Sequence, residues 1–166
     1  MISKKILSVI TSVMVFCCVV GVSLTNVKAD DSAPKSVDGS YLTSADSSTG
    51  YTPKNNERGK HLMDGQCSIS KTGTKRIYAY GSTTANHTVD AVAVIVYVDR
   101  YNEKDDEWYQ IDAFSKKVEN DYYSATSKSI QVERGYYYRV HADHFVRMGE
   151  QPAEETFSYT DGILVP

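Results

Sequence analysis

The sequence predicts an all-β domain, folded as an antiparallel β-sandwich of about seven strands. Three observations carry this. Apolar residues recur at every second position, as in Ile130 and Val132 before Gly135 and Tyr138, Val140 and Ala142 after it. Side chains alternate across a strand, so each such run offers one apolar row to a core and one polar row outward. The links between runs are short and rich in Gly, Asn and Asp, and beyond the N-terminus no helical periodicity competes. Many short strands joined this way close into a sandwich, with a barrel as the alternative.

The first residues read as an address. Lys4 and Lys5 precede the uncharged apolar run from Ile6 to Leu24, and Val27-Lys28-Ala29 offers small residues at a cleavage site. A signal peptide over 1–29 is expected, cut after Ala29, and with it a secreted or extracytoplasmic chain with no membrane span after cleavage. Residues 30–58 are rich in Ser, Asp, Thr and Asn, with Tyr41, Leu42 and Tyr51 as exceptions. They are expected to form a flexible or loosely docked N-terminal arm, part of which Val37, Tyr41, Leu42 and Tyr51 could pack against the domain. The β-sandwich domain is then 59–166.

Within that domain, Gln66–Lys71 and Lys75–Gly81 flank Thr72-Gly73 as a hairpin. Residues 82–88 read as a polar loop. Val89–Tyr101 is the strongest strand: Val92, Val94, Val96 and Val98 form one row, and Ala91, Ala93, Ile95 and Tyr97 the other. With both rows apolar, a central strand covered on each face is expected. Asn102–Glu107 is a charged turn and Trp108–Val118 the returning strand. Glu119–Asp121 breaks it, Tyr122–Val132 and Tyr136–Val146 flank the Gly135 corner, and Thr156–Val165 supplies the last bent strand.

Charge excludes some functions. Removing Lys4, Lys5 and Lys28 leaves 15 basic against 21 acidic residues, a net charge of −6. That balance disfavours nucleic acid and anionic membranes, which attract basic patches. Cys67 alone survives cleavage, so no internal disulfide forms. It shares a strand face with Ile69, which points to a buried structural thiol.

No catalytic constellation is present: there is no Gly-x-Ser-x-Gly and no ordered Ser, His and Asp. His141 and His144 point to opposite faces of one strand, so no metal is expected there. The oxygen-rich stretch Asp99 to Glu107 lacks the calcium-loop spacing and reads as a solvated turn. No cofactor is expected.

The chain holds thirteen tyrosines and one tryptophan. With the Val row inward, Tyr97 faces out, as do Tyr137, Arg139 and His141 when Tyr138 and Val140 face in. Trp108 and Phe114 are expected on one face of the strand between. Aromatics with Arg are what interfaces and sugar platforms use. Tyr97, Trp108, Phe114, Tyr137, Arg139 and His141 are therefore the expected contact residues.

Several stretches carry a resemblance. They are Ser40-Tyr41-Leu42-Thr43, Arg58-Gly59, Gly81-Ser82-Thr83, Val89 to Trp108, Gly135-Tyr136-Tyr137-Tyr138-Arg139-Val140 and Thr160-Asp161-Gly162-Ile163. Together they resemble an uncharacterised family of small secreted proteins from Gram-positive, Clostridia-like bacteria, a domain of unknown function. The resemblance implies an extracytoplasmic β-rich domain and carries over no site residue. More loosely, the Gly135 corner is similar to the turn before strand F of immunoglobulin-like and fibronectin-type sandwiches, with Tyr138 where the corner tyrosine bonds back to backbone. The expectation is a non-enzymatic binder of a protein or glycan at the cell surface. The alternatives are an exported enzyme or toxin-like effector, and an envelope component that self-associates through sheet edges.

Overall fold

The computed structural model describes residues 41–53 and 59–166. The expected signal segment 1–29 and residues 30–40 and 54–58 of the expected arm lie outside the described residues. The described chain is all-β: β1 (Leu42–Thr43), β2 (Ser47–Tyr51), β3 (Leu62–Gly73), β4 (Arg76–Asn102), β5 (Glu107–Gln131), β6 (Tyr136–Arg147), β7 (Glu154–Tyr159) and β8 (Gly162–Val165). They form one hydrogen-bonded, curled sheet in the order β1-β8-β6-β4-β3-β2, with β5 beside β4 and β7 beside β6.

Two expectations are corrected here. The sheet is mixed, because β1 runs parallel to β8, Leu42 facing Gly162 and Thr43 facing Ile163. The arm also ends earlier than its composition suggests. Ser47–Tyr51 pairs antiparallel with β3 over five residues. Backbone pairing, blind to side-chain polarity, holds a segment whose Ser and Thr give no apolar row.

β4 and β5 are single long strands where the sequence suggests two each. The expected loop at 82–88 is continuous strand, and the ladder to β5 slips between Thr84 and Val89. The expected break at 119–121 is a bend inside β5, where Asn120 takes φ 54°, a left-handed conformation that asparagine tolerates. The first half of β4 pairs with β3 and the end of β5; its second half pairs with the start of β5 and with β6. Between them the sheet curls until the halves face each other. A Cβ on Gly81 would lie 2.5 Å from Val96 Cγ2, so the Val96 side chain takes the space that a side chain on Gly81 would need. The β3–β4 turn falls at Thr74-Lys75, two residues after the expected one.

The core forms between these halves. Cys67, Ile69, Ile77, Ala79, Val94, Val96, Val98, Tyr138, Val140, Ala142, Ile163 and Val165 are buried together. Val92 packs in a neighbouring cluster with Leu62, Val89 and Val146. The Val row is therefore inward, while Ala93, Ile95 and Tyr97 opposite remain half-buried, so only one face of β4 is fully covered.

At the corner Gly135 takes φ 83°, and its N–H donates to Val165 O at 2.7 Å. Tyr138 Oη accepts from Glu133 N–H at 3.1 Å and donates to Glu133 O at 3.0 Å. One buried ring thus ties down both backbone groups of a residue five positions back.

Candidate functional site

The outer rows of β4, β6 and β7 meet in register. Tyr97 stands opposite His141, and His141 opposite Tyr159. Their rings stack as a deck across three strands. Tyr97 and His141 centroids are 4.6 Å apart at 13°, and His141 and Tyr159 are 5.4 Å apart at 20°. Phe157 meets Tyr159 edge-on at 5.5 Å and is 51% exposed. Tyr97, His141 and Tyr159 thus spend facing ring surfaces on one another, while Phe157 does not stack.

Under the deck lies Asp99, 3% exposed. Its Oδ2 accepts from Arg139 Nε at 2.9 Å and pairs with His141 Nδ1 at 3.0 Å. Burial pushes the carboxyl up, but the bonds and charges of His141 and Arg139 outweigh it and hold Asp99 below its ordinary range. The Arg139 guanidinium also stacks on Trp108 at 4.3 Å. Trp108 in turn tilts against Tyr101 at 5.1 Å and lies over Gly162, where a Cβ would be 2.6 Å from its ring. Tyr97 is flanked by Asp143 and Glu155. Desolvation first, then these two carboxylates, raise its phenol.

Of the six expected contact residues, Tyr97, Trp108, Arg139 and His141 come together. Tyr137 stands farther along the same row and, with Arg100, Tyr101 and Arg134, lines a separate surface hollow. Phe114 is a correction. It pairs with Val96 and packs against the core, on the opposite face from Trp108. The ladder slips between Val98 and Asp99, whose partners are Asp112 and Gln110. The extra residue, Ile111, inverts the strand's parity, as a β-bulge does. Sequence reasoning missed Asp99, Tyr101, Phe157 and Tyr159. The alternation Phe157-Ser158-Tyr159 marks two outward rings around a buried serine, and could have found the last pair.

A second polar cluster lies in the core. His144 is 0% and Ser158 1% exposed. Thr83 Oγ1 donates to Ala93 O at 2.8 Å, so it accepts from His144 Nδ1–H at 3.0 Å. His144 Nε2 is then the acceptor for the Ser158 hydroxyl at 2.8 Å. Desolvation lowers the His144 pKa to about 4. Cys67 donates to Val140 O at 3.6 Å, and burial pushes its thiol up to about 12. His and Ser stand close here, but behind packed backbone that leaves them no exposed surface.

His141 and His144 face opposite ways, and among the described residues no three His, Cys, Asp or Glu gather as a metal would need. In the 102–107 turn the carboxylates are occupied. Asp106 takes the Tyr101 hydroxyl, while Asp105 takes Asn102 Nδ2 at 2.6 Å and the Tyr109 hydroxyl at 3.1 Å. Among the described residues no helix is long and apolar enough to cross a membrane. In comparison with known proteins, no family model and no curated protein matches the chain.

Proposed function

We propose that this is an exported, non-enzymatic β domain that binds a protein partner through the outer face of β4, β6 and β7. The reading keeps the kinship with small secreted Gram-positive proteins drawn from the sequence, and treats the curled sheet as sandwich-like. The observation that carries it is the Phe157 ring, half in water at the edge of a deck whose His141 is held by Asp99, itself paired with Arg139. An apolar anchor on a pre-ordered support is what a binding hot spot requires. Rings already stacked on one another favour a protein over a sugar, whose flat C–H face needs an open ring face. Arg139 and His141 are paired with Asp99, which leaves Asp143 and Glu155 as charges beside Tyr97. The partner surface is therefore apolar at its centre with Lys or Arg around it.

The test is capture of secreted and wall proteins from the native culture by the purified protein, its Phe157→Ala variant and its Tyr97→Ala variant. Capture that drops at least tenfold in both variants with unchanged melting supports the face. Equal capture by all three removes it. Trp108 is a poorer probe than its sequence suggests, because it packs on Gly162 and its loss would disturb the fold.

A second reading has one specific support. β5 pairs only with β4, so the free edge of Glu107–Gln131 is open to a second copy among the described residues. Light scattering that shows concentration-dependent dimers would favour that reading.

A further inference from the structure

We propose a second binding site, for a neutral oligosaccharide, on the outer face of β2, β3, the first half of β4 and the end of β5. The register lays three rows across these four strands: Ser47-Ser70-Tyr78-Ser129, Thr49-Ser68-Tyr80-Ser127 and Tyr51-Gln66-Ser82-Ala125. The intervening Cys67, Ile69, Ile77 and Ala79 are buried, so the rows face outward, with Ser82 covered at 6% exposed. None of the twelve positions is charged. An ordinary surface is roughly 25–35% charged, so about three charges would be expected among twelve such positions.

The tyrosines here are placed differently from those of the ring deck. Tyr51 is 58% and Tyr78 38% exposed. Their cross-strand neighbours in the rows are Ser and Gln, too small or too thin to cover a ring. Among the described residues Tyr51, Tyr78 and Tyr80 stack on no other ring; Tyr51 and Tyr78 are exposed and Tyr80 is half-buried. Tyr123, from the next row, brings its hydroxyl to that of Tyr80 at 2.8 Å. Open rings set among hydroxyls and an amide suit a ligand with apolar C–H faces and many hydroxyls of its own.

Size and charge choose between occupants. At the spacings of a β-sheet the rows cover about 14 Å by about 14 Å, roughly 200 Å² in plan. A stable protein interface takes about 800 Å² from each partner and a desolvated apolar centre. The rows have neither. A protein or second copy would also strip water from a field of serine hydroxyls without replacing each bond, while a polyhydroxylated ligand replaces them. The rows hold no fixed charge and Arg76 reaches only their Ser129 corner, at 3.4 Å, so a charged polymer gains little there.

Titration of the purified protein with hexasaccharides of glucose, mannose and N-acetylglucosamine, and with a sulfated polymer, tests this. The expected result is saturable binding of at least one neutral hexasaccharide. It weakens tenfold or more in Tyr78→Ala and in Ser127→Lys, with melting unchanged in at least one of the two, and persists in Phe157→Ala. Persistence in Phe157→Ala separates this site from the protein-binding face, so either can fail alone. No neutral binding, binding of the sulfated polymer only, or full binding in both Tyr78→Ala and Ser127→Lys overturns the proposal.

Discussion

Asp99 and His144 lie on opposite faces of the β4–β6 ladder, five positions apart along it, and each answers the cost of burial differently. Asp99 stays charged, because Arg139 and His141 offset its desolvation. His144 gives up its proton instead, keeping hydrogen bonds that suit the neutral ring. The two therefore respond to acid in sequence. The unfolded chain protonates His144 near 6.5 and the folded chain only near 4. Folding stability is thus intact above 6.5 and falls as pH drops to about 4, by roughly 3 kcal/mol in all. Asp99 has a lowered folded pKa, so its contribution is present above its ordinary 3.8 and is lost as pH falls through the lower folded value. Urea titrations from pH 8 to pH 3 should show the first loss in the native protein and its absence in His144→Gln. At pH 7, Asp99→Asn leaves Arg139 and His141 without their anion and should cost about 2 kcal/mol, below the usual range because Arg139 can reach water.

At the scale of elements, the corner between β5 and β6 was legible from residues alone. Gly135 and Tyr138 have one geometry that satisfies both, and the structure adopts it. Tyr138→Phe keeps the packed ring and removes the two bonds to Glu133. It should cost about 1 kcal/mol, since Glu133 is exposed and water partly replaces them, a loss readable as a lower urea midpoint at unchanged slope. The valine row was legible for the same reason, as period two needs no partner to declare itself. What the residues could not declare was parity across a bulge. Trp108 and Phe114 are an even number apart, and only the slip opposite Val98 and Asp99 puts them on different faces. β1 and β2 were legible only as scattered apolar residues, Leu42 and Tyr51, because their strand form rests on backbone pairing with β8 and β3, which Ser, Thr and Gly do not advertise. Four of the six expected contact residues came together because they follow local alternation on one stretch of ladder. Phe157 and Tyr159 alternate around Ser158 in the same way, but their place in the deck is set by pairing with Asp143 and His141 of β6, which one short strand does not declare.

For the molecule as a whole, the decisive feature is how the curled sheet closes over its own interior. Gly50 of β2 lies so close to the Tyr159 backbone that no Cβ fits between them. β2 also pairs Gly50 with Cys67 and donates Ser48 Oγ to Asp161 Oδ2 at 3.4 Å. One short polar strand thus closes the layer above the thiol. Cys67, 0% exposed and with its thiol pushed to about 12, should not react with a maleimide in the native protein at pH 8. Gly50→Ala forces β2 away from Tyr159, and β2 is a sheet edge with no apolar row to hold it elsewhere. The variant should label at Cys67 at least tenfold faster than the parent in the absence of denaturant. Its gain in labelling should exceed what its loss of global stability accounts for, because opening is confined to one edge. Equal labelling rates in parent and variant would mean that β3 and β6 alone seal the interior, and that β2 is only laid on top of it.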